Sequence, residues 1–335
     1  IYFTYRYLKK RINHQVSLSN YAYFTAASIS GDGLTTIFDL NRDLSISYTA
    51  ENPFSKFSRI EGGFTYNHLA KKQMEYEYDF WGGTSQNSYF LDTYTIIEPN
   101  IKYVWDNTRP FYLYNVGGSR AYINYTVSPN ISVNDFSYSK LEIDARKYFE
   151  LSYTGKVSVA SRFYFGSSWG KNPRITAIGG APAFFHSDQY LINPQYQNQV
   201  MDSLPEYEFW SMNNLQFPIR GYNIGQKFAT KAMMFNFELR LPFLMYYFPT
   251  IKYLGQLFGV IFVDVGVTWD DRFPSFSNKN NWDLNSNEGW IMSYGIGPRF
   301  ILFGMPWQLD YAWQYNPYDG RISSDKWYLS IGLDF

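Results

Sequence analysis

The last third of the chain alternates with a period of two over five successive stretches. In Lys231–Leu241, Met233, Phe235, Phe237, Leu239 and Leu241 share one face, and Met234, Asn236, Glu238 and Arg240 share the other. Val263, Val265, Val267 and Trp269 oppose Asp264, Gly266, Thr268 and Asp270. Met292, Tyr294, Ile296 and Phe300 oppose Ser293, Gly295, Gly297 and Arg299. Trp307, Leu309, Tyr311, Trp313 and Tyr315 oppose Gln308, Asp310, Ala312 and Gln314. Trp327, Leu329, Ile331, Leu333 and Phe335 oppose Tyr328, Ser330, Gly332 and Asp334. Successive side chains on a strand point to opposite faces, so each stretch is a strand with one greasy and one small or polar face. Such strands describe a transmembrane antiparallel β-barrel, with lipid outside and water inside. The other way to bury these faces is a soluble sandwich, whose core would not gather Trp and Tyr so heavily.

Composition favours the membrane solution. Aromatic residues make up 21% of the 335 positions, with 32 Tyr, 29 Phe and 10 Trp. Tyr and Trp pair an apolar body with a polar tip and suit the membrane–water boundary. Mean hydropathy is nonetheless negative, at -0.34, as expected where only alternate side chains meet lipid. No apolar run reaches the ~18 residues of a transmembrane helix. Cys is absent, which excludes disulfides and thiolate metal sites. A formal net charge of zero removes any broad electrostatic case for nucleic-acid binding. The start, Ile1-Tyr2-Phe3-Thr4, has neither initiator Met nor signal peptide, and the expectation is a mature or trimmed fragment of one barrel domain, 1–335.

From the start to about Phe165 alternating runs succeed one another: Gln15 to Phe24, Ile37 to Tyr48, Arg59 to Tyr66, Gln73 to Trp81, Tyr89 to Trp105 and Lys140 to Tyr153. Turn signals such as Glu51-Asn52-Pro53 and Ser128-Pro129-Asn130 separate them. The segment 166–229 differs: it has Gly179-Gly180, several Pro and Asn, and no sustained alternation. A segment of this length is functional or disordered, and its aromatic residues argue that it packs. The expectation is a long extracellular loop folded into the lumen. An aromatic at Phe335, ending a strand with its apolar face toward lipid, has the form of an outer-membrane assembly signal; a boundary that happens to end on Phe is the plain alternative. With a periplasmic C-terminus, Gly304-Met305-Pro306 becomes a periplasmic turn and 270–288 an extracellular loop.

Within the long segment, Phe217-Pro218-Ile219-Arg220-Gly221-Tyr222 places an arginine among these strands. Glu238 and Asp264 both face the lumen on neighbouring strands, where carboxylates repel unless a cation sits between them. An arginine fork can bond two carboxylates at once. Gly221 permits a tight turn, Gly266 clears room opposite, and Tyr222 can stack or bond inside. The bland alternative is three unrelated charges.

Here the chain resembles a known family. Ile219-Arg220-Gly221-Tyr222 looks like the arginine motif at the tip of the sixth extracellular loop of BamA-type barrels. That superfamily holds bacterial surface antigens, outer-membrane insertases and two-partner secretion translocases. Phe262-Val263-Asp264-Val265-Gly266 and Glu238-Leu239-Arg240-Leu241-Pro242 resemble its two strand motifs, and Gly179-Gly180 resembles its glycine pair. The resemblance covers Gly179 to Phe335 and implies sixteen strands, five of them after the loop. Two departures stand out: about forty residues separate the glycine pair from Arg220, and residues 1–335 contain no POTRA-like repeat. Trp327 and Tyr328-Leu329-Ser330-Ile331-Gly332 resemble the insertase ending, where a glycine weakens the seam between last and first strands. A lumen-facing Gly332 present only for space is the alternative.

No enzyme is expected. Gly166-Ser167-Ser168-Trp169-Gly170 mimics a nucleophile elbow, but Lys171-Asn172-Pro173 follows where a helix is required. His14, His68 and His186 show no metal spacing, and no cofactor is expected. The implied role is insertion or translocation of polypeptide. The expected partners are outer-membrane lipid, client polypeptides and accessory assembly proteins, with no nucleic acid. The rival is a passive pore or anchoring barrel whose activity lies in a separate N-terminal periplasmic domain.

Overall fold

The structure is a computed structural model and describes residues 1–29, 35–78, 84–111, 114–151, 157–183, 185–186, 215–216, 218–242 and 257–332. Phe335, Phe217 and most of the insertion 181–217 lie outside the described residues. The chain is all-β, with a large antiparallel sheet of 15 strands and a separate sheet of three short ones. It divides into two compact units.

The first unit holds Ile1–Lys102 with Tyr125–Ser139 and Gly170–Asn172. Its strands follow in chain order: β1 (Tyr2–Tyr7), β2 (Asn13–Ile29), β3 (Thr35–Pro53), β4 (Ser58–Tyr78) and β5 (Thr84–Asp106). They are long; β4 has 21 residues and β5 has 23. The runs 59–66 and 73–81, read from sequence as two strands, belong largely to β4. Lys71 and Lys72 pair with Asn41 and Leu40 inside the ladder and form no turn. Lys9-Lys10-Arg11 does form the exposed turn between β1 and β2. Val16, Leu18, Ile46 and Phe64 are exposed, while Ser17 is buried between them. Glu61 is held by Arg59 at 2.6 Å and Lys102 at 3.8 Å.

The second unit carries β6 (Arg109–Phe111), β7 (Tyr114–Ser128), β8 (Tyr138–Glu150), β9 (Ser158–Gly170), β10 (Thr176–Ile178), β11 (Phe185–His186), β12 (Leu215–Gln216), β13 (Lys227–Ala229), β14 (Lys231–Leu241), β15 (Phe258–Trp269), β16 (Gly289–Leu302), β17 (Met305–Asn316) and β18 (Gly320–Ile331). Strand β9 reaches Gly170, so 166–170 is strand and the loop starts later than its composition implies. It pairs directly with β14, skipping the whole intervening segment. Eight strands of six residues or more precede that segment and five follow it, so the described residues account for thirteen of the sixteen expected.

Burial on these strands runs opposite to that of a soluble sheet. Phe235, Phe237, Ile261, Ile296, Leu309, Tyr311 and Trp327 are exposed. Asn236, Glu238, Arg240, Asp264, Ser293, Arg299, Asp310 and Gln314 are buried. A sheet with this polarity is stable when hydrocarbon covers the apolar face. The inner face is then held by polar geometry: Asp144 accepts from Arg162 Nε and Nη2 at 3.0 and 2.7 Å and from Arg146 Nε at 2.9 Å. Between β16 and β17 the chain turns through Phe303 and Gly304, at φ 55° and 76°. Two consecutive positive values are the signature of a type I′ hairpin, so the turn lies one residue earlier than the Gly-Met-Pro string suggests.

Ile261 pairs with Ile296 across β15 and β16, and the two are 48% and 51% exposed. On a soluble protein a lysine at either site would be nearly neutral. Here Ile261→Lys is expected to cost about 2–4 kcal/mol at mid-membrane depth. Urea unfolding of the protein in lipid vesicles measures it.

Candidate functional site

Arg220 sits on the buried face of β14–β17, delivered there by a short tertiary frame. Strand β10 lies between β12, parallel to it, and β13, antiparallel to it. Beyond β10, Gly180 and Ile219 exchange backbone hydrogen bonds of 2.9 and 3.0 Å. The glycine pair therefore lies beside the arginine motif despite its distance in sequence. Both glycines have positive φ, 127° and 78°. A Cβ on Gly179 would come within 2.5 Å of the Asn223 carbonyl, and one on Gly180 within 2.7 Å of Ile224. Only glycine allows this approach.

The guanidinium is almost fully enclosed, with 2% of Arg220 exposed. Its Nε and Nη2 donate to the two Asp264 oxygens at 2.8 and 2.9 Å, a bidentate pair. The Arg220 backbone amide adds a third bond to Asp264, of 3.1 Å. Nη1 donates to Glu238 at 2.9 Å and to Asp310 at 3.3 Å. The ring of Phe262 lies beneath, with its centroid 3.5 Å from Cζ. In the register Asp264 is opposite Asn236 and Glu238 is opposite Phe262. The two carboxylates are thus diagonal neighbours, which leaves width for the fork between them.

Each carboxylate has further donors. Glu238 accepts from Arg240 at 2.8 and 3.0 Å. Asp310 accepts from Arg299 at 2.6 and 3.0 Å. Asp264 accepts from Asn236 at 2.9 Å. Three carboxylates and three guanidinium groups therefore form one buried cluster with no net formal charge. Arg299, Asp310 and Asn236 were not among the residues singled out from sequence. The alternation had put all three on the inner face, but a face does not reveal which of its members converge.

The flanking residues fix the tip. Gly221, at φ 91°, donates its amide to the Tyr328 hydroxyl at 2.8 Å and accepts from Gln314 at 2.6 Å. Tyr222 donates to the Met292 carbonyl at 2.8 Å and accepts from the Met292 amide at 3.2 Å. Gly266 leaves room: a Cβ there would lie 2.6 Å from Ile178 and 3.2 Å from Ile219. Ile178, Ile219 and Tyr222 instead pack with Tyr164, Ala232, Met234 and Ile291. Gly332 lies one residue beyond β18, at φ 136°, and its amide bonds to the Pro306 carbonyl at 3.0 Å. That bond extends the contact with β17 by one residue. Trp327 is on the exposed face of β18.

Next to this frame Lys227 donates its ammonium to the carbonyls of Asp283 at 2.5 Å, Glu288 at 3.0 Å and Ser286. It so ties β13 to the 270–288 loop, which is also ordered by the edge-to-face rings of Phe276 on Trp282 and Trp290. Burial pushes Lys227 down to about 8.

Removing one partner of a buried pair strands the other charge. Arg220→Ala is expected to cost about 3–5 kcal/mol, read as a lower urea midpoint at unchanged slope. Arg220→Lys should recover only part of this, because an ammonium cannot grip Asp264 with two parallel bonds. For Lys227 the folded value lies below the unfolded one. Between pH ~8 and ~10.5 the unfolded chain keeps a proton that the folded chain has released, so stability rises with pH across that window. The wild type should gain stability relative to Lys227→Met over this range, measured by denaturant melts.

Comparison with known proteins agrees with this architecture. The Omp85 superfamily domain matches residues 3–335. No curated protein sequence matches the chain significantly. BamA from Haemophilus ducreyi lacking POTRA domains 1–3 superposes with a TM-score of 0.58 at 14% identity, over 98% of this chain and 61% of that one. CdiB from Acinetobacter baumannii superposes with a TM-score of 0.57 at 10% identity, over 100% of this chain and 50% of that one. The chain thus spans less than two thirds of either neighbour's length, and at such identities the likeness shows the fold, an all-β antiparallel sheet of the BamA barrel type. On the match across nearly its full length, the chain belongs to the Omp85 superfamily.

Proposed function

We propose that this protein is an outer-membrane barrel that inserts or translocates polypeptide, with the Arg220 loop as a brace on its inner wall. The observation that carries the proposal is the neutral cluster on Arg220. It fixes one loop to three strands, β14, β15 and β17, through contacts of 2.8–3.3 Å. A wall braced in this way holds its curvature while strand pairing elsewhere changes. The mechanism is mechanical and involves no covalent step. Membership of the superfamily and the resemblance to BamA and CdiB support insertion or translocation as the class of activity. In this proposal the C-terminus is periplasmic, the 270–288 loop is outside, and the clients are extended polypeptides brought by accessory proteins.

The test is reconstitution into vesicles with an unfolded outer-membrane protein as client. Protease resistance of the client reports its insertion. The wild type is expected to accelerate insertion over empty vesicles, and Arg220→Ala, scored per folded barrel, to lose most of that acceleration. Ion conductance without any acceleration would identify a passive pore and overturn the proposal.

A further inference from the structure

The residues following the glycine pair run along the last strand and end by pairing with it. Ala181 is buried among Val260, Phe262, Ala312 and Tyr328, and Ala183 packs against the same group. The Pro182 carbonyl accepts from Ser330 Oγ at 2.8 Å. Phe185 and His186 then form β11, antiparallel to β18, with Phe185 opposite Leu329 and His186 opposite Tyr328. The described neighbours of β18 are therefore β17 on one side and this piece of the insertion on the other.

A strand edge in hydrocarbon must find hydrogen-bond partners, since lipid offers none. An edge is also a template on which any extended chain can add. Strand β18 carries its apolar face outward, with Trp327 and Ile331 exposed. A chain that added there would have to alternate apolar and polar residues, in register with it. We infer that Ala181–Ala183 together with β11 is a built-in edge cap, seated on β18 where an exogenous amphipathic β-strand would add, and that such a strand must displace it. Anchoring by a buried alanine and one side-chain bond keeps the cap close, while a two-residue ladder keeps it exchangeable. Antiparallel pairs alternate between bonded and non-bonded, so two successive pairs supply about two backbone hydrogen bonds.

Tyr328 links the cap to the arginine site. It shares a buried cluster with Ala181, its backbone faces His186, and its hydroxyl accepts from the Gly221 amide at 2.8 Å. The cap and the Arg220 brace therefore report to one side chain. The inference concerns the strand edge and stands whether or not the protein is an insertase.

The test uses the absence of native cysteine. Cα atoms of directly opposed antiparallel residues lie within disulfide range. The variant Phe185→Cys with Leu329→Cys should therefore crosslink on oxidation of the folded protein in vesicles. The probe is a synthetic peptide of alternating valine and threonine bearing a benzophenone, and photolabelling near residue 329 is read by mass spectrometry. Labelling should fall about tenfold in the oxidised form, the scale set by two backbone hydrogen bonds, and return on reduction of the same sample. Phe185→Pro with His186→Pro, which removes whichever of the two amides donates to β18, should label more than the wild type. Failure of the disulfide to form, or equal labelling in oxidised and reduced protein, would overturn the cap.

Discussion

The structure turns on a charge balance that the sheet cannot close by itself. The inner face of β14–β17 supplies Glu238, Asp264 and Asp310 against Arg240 and Arg299, all buried. Arg240 satisfies Glu238, and Arg299 satisfies Asp310. Asp264 is left with a neutral amide, Asn236. Burying a carboxylate without a cation costs several kcal/mol even after relaxation. The missing charge arrives from outside the sheet, on a loop, and its fork is spent chiefly on Asp264. Docking of the loop is thus a condition for folding this wall, and the wall in turn specifies one position for the loop. A lysine or a hydrophobic anchor would bind the same surface with less definition, since neither fixes orientation about its axis.

The Gly180–Ile219 bridge explains how the long insertion coexists with this narrow requirement. A loop that begins and ends on one pair of exchanged hydrogen bonds can grow without moving its base, and the entropy of closing it rises only slowly with length. The insertion is therefore free to acquire structure of its own, as β11 shows by reaching β18. Placement of Arg220 depends on β10, β12, β13 and the two glycines, all of which lie close to the bridge.

Much of this was legible in the sequence because alternation survives in each of β14–β18. The inward faces written from sequence contain Arg240, Arg299, Asp310, Gln314 and Tyr328. Convergence on Arg220 was not legible for Arg299 or Asp310, because it depends on register: their strand positions meet only once β16 and β17 are paired. The same limit applies to Glu238 and Asp264, which are on adjacent strands as expected but diagonal. Alternation also continued through Gly332 to Phe335, so the pattern could not show that β18 ends at Ile331. In β4 the opposite occurred, since the polar stretch between the runs 59–66 and 73–81 reads as a break although the backbone ladder runs through it. Strand length was illegible for a related reason. A face that lies against water and polar side chains imposes no compositional mark where the strand leaves the membrane.

That last point bears on why the inner wall is built from ions at all. With hydrocarbon outside, burial of the outward face favours any sheet of the right pattern and does not choose among registers of similar alternation. Shifting one strand by two residues keeps every apolar side chain outward. It would, however, move Asp264 from Asn236 and carry Asp310 away from Arg299. The diagonal geometry of charged groups is sensitive to a two-residue slip in a way that lipid contact is not. The two small apolar clusters beside the ions, around Ile219 and around Phe262, are built partly from the loop itself. They too form only in the correct register. The Arg220 cluster can therefore be understood as the element that selects one register for β14–β17, with its desolvation cost offset by six mutually satisfied ions, and stability beyond that is left to the lipid-facing side.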